Sequence, residues 1–454
     1  RSAVSLQSKI QMPSASNVES FLLSVLGEFE WHIREAGCWD SVNVQPTLTN
    51  AVLPMFRNRW ATGPNQYTSD VYSGLYPGLA LASRFLSEDW PLLWFTKLTF
   101  GRRSPSTTKP VSTYLAATSS QTLAAEIAKV KANLAELGEV ITLTFAPRRC
   151  KEKAWGVTYN TKKAMRFHAE FSDTDRPRIK PEYSTDTYRR RHLLPWIVMN
   201  PFFMDYFRSK ISSCTPTETY RVHFLFAITL VHEITHAYWF WFNEKTPEPV
   251  WHEGERNAEL GLSWEREVIG RVVQPMLGYQ GIDGIRTLIL SELREYTNSK
   301  DRMDAVIELQ DATKLSKTLT RHDAKRNWPL LKPSDLRGSE LFLENSSQKY
   351  LVGIKCINMA WVSAWFQEDE WVRRRRDWDR RNMYWPPAVR DAFLVVYDQN
   401  GTTVQILRSL NVTSEGDAKI HKELQKEEKE LTARKKQREK DKEDFRKAFV
   451  EMKL

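Results

Sequence analysis

The chain has few cysteines for its length: four among 454 residues, at Cys38, Cys150, Cys214 and Cys356. They are far apart and form no CxxC pair, which argues against a disulfide framework and favours a reducing compartment. No signal-peptide pattern opens the sequence, although it begins at Arg1, so removal of an N-terminal segment stays open. We therefore expect a cytoplasmic protein, with the nucleus as the alternative.

The sequence also lacks an uninterrupted apolar run that could span a membrane. Its most apolar stretch, 224–242, contains His232, Glu233 and His236, and ionisable side chains are costly in a bilayer. No membrane partner is expected, and no internal repeat is present. With 41% hydrophobic residues and 17 tryptophans, the chain can form two or three soluble units with aromatic cores.

Basic residues exceed acidic ones, giving a net charge of +10. The excess is concentrated in segments 148–163, 189–191 and 373–381 and in the C-terminal segment. Acidic residues are interleaved with them, so a solvated surface is the preferred interpretation, and an acidic partner for the basic C-terminal region is the alternative. The aromatic-flanked run 373–376 has the composition of a nucleic-acid surface. Because no recognisable binding module accompanies it, nucleic acid is not the expected partner.

Hydrophobic periodicity and turn residues predict an α+β protein with four regions. Residues 1–120 are predicted to be helical, and 121–275 to form a core with a helix over 121–137 and strands over 139–145, 154–159 and 194–199. The segment Thr215-Pro216-Thr217-Glu218 is a capping box with proline at the first helical position, and it predicts a long buried helix. We expect another helix over 251–273, a mainly helical region over 276–413, and one charged helix over 414–454.

The long helix carries the motif that indicates chemistry, His232-Glu233-Ile234-Thr235-His236, an HExxH. Residues four apart on a helix lie on the same face, so both imidazoles can reach one metal ion, with Glu233 beside them. Zinc held in this way lowers the pKa of a bound water, and a carboxylate can remove the proton as the water attacks a carbonyl. The motif therefore predicts zinc as the cofactor, His232 and His236 as ligands, and Glu233 as the general base.

A catalytic zinc ion needs a third protein ligand and an open fourth position. The metzincin continuation HExxHxxGxxH is absent, since Trp239 and Phe242 stand where Gly and His would be. An acidic cluster follows instead, in which Glu255 comes after 18 intervening residues and Glu259 lies four positions later.

This HExxH-x18-E spacing resembles the gluzincins, the clan of thermolysin, neprilysin and the zinc aminopeptidases. The resemblance implies a zincin-like core over about 121–273: a helix, a small mixed sheet, the HExxH helix and an acidic helix. It also implies Glu255 as the third ligand and Glu259 as the acidic residue that orients the first histidine, His232. Two alternatives stay open: Glu259 as the ligand with Glu265 as its support, and Glu253 or His252 as the ligand.

The substrate-binding signatures of the aminopeptidases and of thermolysin are missing from the sequence. From its position alone, the strand over 194–199 is interpreted as an edge strand that could hold an extended peptide. Candidates for donating a hydrogen bond to an oxyanion are Tyr279, Tyr296 and His322.

The predicted function is that of a zinc-dependent hydrolase, a metallopeptidase that acts on a peptide or protein substrate. One alternative is a zinc enzyme that acts on a specialised non-protein substrate. The other is a basic binding protein without enzymatic activity, in which the metal is structural.

Overall fold

The structure of the protein is a computed structural model. The described residues are 37–39, 43–57, 69–105, 113–116, 123–147, 154–160, 195–243, 247–252, 258–270, 272–278, 281–296, 298, 319–320, 349–379, 393–398, 403–407, 433, 436–437 and 440. The protein is a mixed α+β structure, as predicted. Among the described residues, no helix is both long enough and apolar enough to cross a membrane.

The chain divides into two compact units, each assembled from segments that are distant in sequence. The sheet unit comprises Arg1–Ser41, Val273–Trp361 and Ala388–Leu454. The helical unit comprises Val42–Val272 and Val362–Pro387, and it contains the HExxH motif.

Among the described residues, the helical unit contains most of the helices and two small sheets. Its helices are α1 (Pro54–Arg57), α2 (Ser69–Phe85), α3 (Asp89–Phe100), α4 (Leu123–Val140), α5 (Pro201–Asp205), α6 (Pro216–Asn243) and α7 (Leu260–Trp264). Later in the chain come α8 (Met359–Ala364), which begins in the sheet unit, and α9 (Glu368–Asp379). The strands are β1 (Arg102–Pro105), β2 (Thr113–Ala116), β3 (Thr142–Phe145), β4 (Gly156–Asn160) and β5 (Pro195–Met199).

The three predicted core strands form one small sheet in the order β3-β5-β4. β3 runs parallel to β5, and β4 runs antiparallel to it, with Thr158 opposite Ile197. The interpretation of 194–199 as an edge strand is therefore wrong, because β5 is hydrogen-bonded on both sides. Among the described residues β4 is an edge strand instead.

The helix predicted over 121–137 extends further than expected. α4 continues through Gly138 to Val140, and β3 starts only at Thr142. Gly138 serves packing at this point, since a Cβ atom there would lie 2.9 Å from the Cβ atom of Met55 in α1.

The long helix α6 confirms the prediction from the capping box. The Thr215 hydroxyl accepts a hydrogen bond from the backbone N–H of Glu218 at 3.2 Å, and Pro216 occupies the first helical position. Nearly every side chain from Tyr220 to Trp239 is buried, because α6 packs against α2, α4, α7, β4 and β5. The two motif histidines therefore lie within the unit rather than on its surface.

The helix predicted over 251–273 is confirmed only in part. Among the described residues of this segment, the helical ones are α7 and a following π-helical turn, Glu265–Ile269. Gly270 then ends it with a φ of 92°, a left-handed conformation that glycine adopts without steric cost.

Among the described residues of 276–413, strands outnumber helices, contrary to the prediction of a mainly helical region. The sheet unit contains a six-stranded antiparallel sheet in the order β6-β7-β9-β10-β11-β8. Its strands are β6 (Val273–Gly278), β7 (Gly281–Tyr296), β8 (Leu319–Thr320), β9 (Lys349–Cys356), β10 (Phe393–Asp398) and β11 (Thr403–Leu407). β7 is rich in leucine, glutamate and arginine, which favour helix, but its pairing with both β6 and β9 outweighs that local preference. Within the region, α8 and α9 are helical as expected.

Of the charged helix predicted over 414–454, only residues 433, 436, 437 and 440 are described, and each is helical.

One buried histidine of α6 lies outside the motif. His223 is 2% exposed and stacks on Phe207 with ring centroids 4.8 Å apart. Among the described residues, neither of its ring nitrogens has a hydrogen-bond partner. Burial lowers the pKa of His223 to about 3, so the imidazole is neutral in the folded protein at physiological pH.

We expect His223 to make the protein sensitive to mild acid. In the unfolded chain a histidine gains its proton as the pH falls below about 6.5, whereas His223 in the folded protein does so only at about pH 3. The free energy of unfolding therefore falls as the pH falls between these values. Between pH 6.5 and 5 this difference corresponds to about 2 kcal/mol. His223→Leu should remove that part of the pH dependence of the free energy of unfolding, measured by urea titration at several pH values. The matched control is His252→Leu, at an exposed histidine. This variant should retain the pH dependence that His223 causes. If the free energy of unfolding varied with pH in the same way in the two variants, His223 would not be its source.

Candidate metal centre

The HExxH segment places two imidazoles and one carboxylate in the interior of the helical unit. His232 and His236 are one turn apart on α6, and their ring centroids are 5.2 Å apart. Glu233 is 5% exposed and lies next to both. The helical geometry expected from the sequence is therefore present.

Glu259 approaches both histidines from the start of α7. One carboxylate oxygen, Oε1, lies 2.7 Å from Nε2 of His236 and 3.2 Å from Nε2 of His232. The other, Oε2, accepts a hydrogen bond of 2.5 Å from the backbone N–H of Leu262, so Glu259 is also the N-cap of α7. The cap fixes the carboxylate in its position facing α6.

His232, His236 and Glu259 form a group that could hold a metal ion, with one ligand atom from each residue, all within 4.8 Å of one another. In a tetrahedral zinc site with bonds of about 2.0–2.1 Å, neighbouring ligand atoms lie about 3.4 Å apart. The distance from Glu259 Oε1 to His232 Nε2, 3.2 Å, is close to this value, whereas the 2.7 Å to His236 Nε2 is a hydrogen-bond distance that would have to lengthen around an ion. Two imidazole nitrogens and a carboxylate oxygen are also a donor set that suits zinc.

A second carboxylate supports each histidine at its other ring nitrogen. Nδ1 of His232 lies 2.8 Å from Oε1 of Glu265, and Nδ1 of His236 lies 2.6 Å from Oε1 of Glu248. A neutral histidine that donates from Nδ1 to a carboxylate presents the lone pair of Nε2 to a metal. Both Nε2 atoms face Glu259, so the two supports orient the ligand atoms toward the same point.

The carboxylates control the protonation of these histidines. Burial by itself lowers the pKa of His232, but the negative charges and hydrogen bonds of Glu259 and Glu265 outweigh burial and raise its pKa well above the usual value. Burial likewise lowers the pKa of His236, and Glu248 and Glu259 outweigh it. Burial raises the pKa of Glu259, but the two histidines reverse this and hold it well below the usual value. A metal ion that binds here must displace protons from the imidazoles, so its affinity should fall at acid pH.

Glu233 is held from the neighbouring sheet. The Thr158 hydroxyl in β4 lies 2.7 Å from Oε2 of Glu233 and 2.8 Å from its backbone carbonyl oxygen, and it can donate to either. A Cβ atom on Gly156, two residues earlier in β4, would lie 2.7 Å from Cγ of Glu233, so only glycine permits this close approach of β4 to α6. Burial raises the pKa of Glu233, and the neighbouring histidines and Thr158 partly oppose the rise.

Aromatic packing fixes the two segments that supply the remaining carboxylates. Trp264, at the end of α7, is fully buried and makes an edge-to-face contact with Phe85 of α2. Trp251, which follows the Glu248 loop, stacks on Trp94 of α3 with centroids 4.5 Å apart. The Lys97 ammonium lies over the Trp251 ring and donates a hydrogen bond to the Trp251 carbonyl. These contacts position Glu265 and Glu248 independently of any metal.

Comparison of the chain with family models, with curated proteins and with solved structures finds no match. The chemistry of the site therefore rests on its own geometry.

The structure distinguishes among the ligands considered from the sequence. It brings together His232, His236, Glu233 and Glu259. Glu265 is hydrogen-bonded to His232. This arrangement matches the alternative in which Glu259 is the ligand and Glu265 its support. Glu253 and Glu255 lie outside the described residues. His252 is exposed and pairs with Glu267 at 2.7 Å.

Two residues that contact the motif were not predicted from the sequence, and none of the predicted oxyanion candidates is found in the metal centre among the described residues. No sequence pattern pointed to Glu248 or Thr158, because each contacts the motif only through folding. Among the oxyanion candidates, Tyr296 belongs to β7 of the sheet unit, and Tyr279 and His322 lie outside the described residues.

We expect Glu259→Ala to weaken Zn²⁺ binding much more than Glu255→Ala. Loss of a direct ligand should lower the affinity by more than about 100-fold, since loss of a supporting residue typically costs 10- to 100-fold. Competition with a chromophoric chelator at neutral pH measures both variants. A greater loss in Glu255→Ala would assign the third ligand to Glu255, as the HExxH-x18-E spacing implies.

A second prediction concerns Gly261, which packs against the His232 ring. A Cβ atom there would lie 2.2 Å from Nε2 and Cδ2 of that ring. Gly261→Ala should therefore displace His232, lower the Zn²⁺ affinity by at least about 10-fold, and lower the free energy of unfolding by about 1–3 kcal/mol. Ala258→Ser, at an exposed position in the same segment, is the control that should change neither quantity. Unchanged Zn²⁺ affinity in Gly261→Ala would argue against His232 as a ligand.

Proposed function

We propose that the protein is a zinc-dependent hydrolase that cleaves a peptide or amide bond. The observation that carries the proposal is the convergence of the His232, His236 and Glu259 ligand atoms beside a separately supported carboxylate, Glu233. A purely structural metal site has no need for an unligated carboxylate next to the ion.

In this proposal His232, His236 and Glu259 hold the zinc ion, and Glu265 and Glu248 keep the imidazoles oriented. A zinc ion in such a site supplies Lewis acidity, which activates water and polarises a substrate carbonyl. Glu233 accepts the proton of the attacking water and can return it to the leaving amine. Its buried position raises its pKa and makes it a better proton acceptor than an exposed glutamate.

The order of elements supports a zincin-like core in the helical unit. The elements follow one another in the expected order. The helix α4 comes first, then the strands β3, β4 and β5, then the HExxH helix α6, and then the short helix α7 with its acidic residues. β4 lies against the HExxH segment and is an edge strand among the described residues, so an extended peptide could add to it next to Glu233. The edge strand is the reason for preferring a peptide over a non-protein substrate.

The charges around the 373–376 run weaken the case for this run as a binding surface. Arg373 makes two hydrogen bonds to Glu370, and Arg375 makes two to Glu88. Arg374 is 1% exposed, with its guanidinium 3.6 Å from the centre of the Trp365 ring. Arg373, Arg374 and Arg375 are thus paired within the helical unit, so this run offers an acidic partner less unpaired charge than its composition suggests.

Glu233→Gln should separate metal binding from catalysis. The variant should retain about one zinc ion per chain by elemental mass spectrometry but lose about 10²–10⁴-fold in hydrolysis of a peptide library, because the amide cannot accept a proton. His232→Ala should lose both the zinc and the activity. Full activity in Glu233→Gln would contradict the mechanism. A zinc-loaded wild type that cleaves no peptide would favour a specialised non-protein substrate.

Thr158 should act as a positioning residue for Glu233. Its hydrogen bond stabilises the carboxylate and lowers the Glu233 pKa, so Thr158→Val should shift the acidic limb of the kcat/KM profile to higher pH and lower kcat by about 10-fold. Thr158→Ser retains the hydroxyl and should behave like the wild type. A Thr158→Val profile that overlays the wild-type profile would exclude this role.

A further inference from the structure

A cavity of about 210 Å³ opens beside the N-terminal half of α6, within the helical unit. We call it the His223 cavity. Its walls include three proline rings and two aromatic rings: Pro46, Pro77, Pro216, Tyr220 and Phe366. Tyr220 is fixed by a hydrogen bond of 2.8 Å from its hydroxyl to the Val44 carbonyl, and its ring packs on Phe366 with centroids 5.0 Å apart. The walls are therefore flat, rigid and mostly apolar.

The size and charge of the cavity limit what it can bind. Its volume corresponds to about seven water molecules, which is enough for one ring with short substituents but too small for a typical drug-sized ligand. Among the described residues, no charged side chain lines it. An ionic ligand would lose its hydration without gaining a counter-charge, so the cavity favours uncharged molecules.

His223 is a polar residue of this wall, together with Gln45 and Thr219, and it differs from them in its burial. It lines the cavity, is almost fully buried, and has no hydrogen-bond partner for either ring nitrogen among the described residues. Buried polar groups in folded proteins nearly always have a partner, from protein, water or ligand. A neutral imidazole offers one N–H donor and one acceptor nitrogen, and a hydroxyl group can pair with either.

We propose that the His223 cavity is a binding site for a small, uncharged ring compound that carries a hydroxyl group. The flat walls hold the ring, and His223 makes the hydrogen bond that selects the hydroxyl. The site does not depend on the proposed hydrolase activity, because none of its lining residues belongs to the metal centre.

Cys214 offers a direct readout, since it lines the same cavity and is half-buried. The probes are phenol, toluene, which has the ring without the hydroxyl, and benzoate, which is charged. The rate at which N-ethylmaleimide alkylates Cys214 in the full chain is followed by peptide mass spectrometry. Cys38 and Cys356 are buried and report any unfolding caused by a probe.

We expect phenol to slow alkylation of Cys214 at millimolar concentration and benzoate not to slow it. In His223→Leu, about 5- to 10-fold more phenol should be needed, which is the typical effect of one neutral hydrogen bond. Protection by toluene should stay within about twofold in the same variant. His223→Gln retains a donor and an acceptor and should keep protection by phenol.

Two outcomes would overturn the proposal. One is that phenol gives no protection in the wild type at concentrations that leave Cys38 and Cys356 unlabelled. The other is that His223→Leu changes the response to phenol no more than the response to toluene. In that case the cavity is an apolar crevice, and His223 does not recognise a ligand.

Discussion

The structure of the helical unit depends on the burial of mutually compensating charges between α6 and α7. Two imidazoles and three carboxylates are joined by hydrogen bonds and ion pairs, with the Glu233 carboxylate beside them, and burying any of these groups alone would be costly. Each histidine pairs with one carboxylate at Nδ1 and with Glu259 at Nε2. The cluster is stable because every charge has a partner, and a cation at its centre would add compensation for the excess of negative charge.

The surrounding architecture holds these charges at fixed positions. Aromatic contacts anchor the ends of the carboxylate-bearing segments, through Trp264 on Phe85 and Trp251 on Trp94. Two glycines, Gly156 and Gly261, let a strand and a helix approach the motif more closely than any other residue would permit. Rigid supports of this kind are what a metal centre requires, because ligand atoms that drift by a fraction of an ångström lose much of their affinity.

A single helix, α6, serves two sites of opposite chemistry. Its C-terminal half carries the charged HExxH cluster, and its N-terminal half lines the neutral His223 cavity. The histidines in the two halves differ in protonation for a physical reason. Burial dominates at His223, which has no carboxylate partner among the described residues, and lowers its pKa, whereas carboxylates overcome burial at His232 and His236 and raise theirs. The histidines of α6 thus differ in pKa because different groups pack against the two halves of the helix.

The sequence by itself determined the features that depend on local chemistry. The capping box and apolar run defined α6, the β-branched segments defined the three core strands, and the spacing within HExxH placed His232 and His236 on one face with Glu233 beside them. The tertiary structure decided what depends on distant contacts. It made β4 rather than β5 the edge, it turned 281–296 into a strand by pairing it on both sides, and it brought Glu259, Glu265, Glu248 and Thr158 to the motif. Local propensity cannot specify these contacts, because they join residues whose separation in sequence carries no periodic signal, and only packing decides which of several nearby acids meets the histidines.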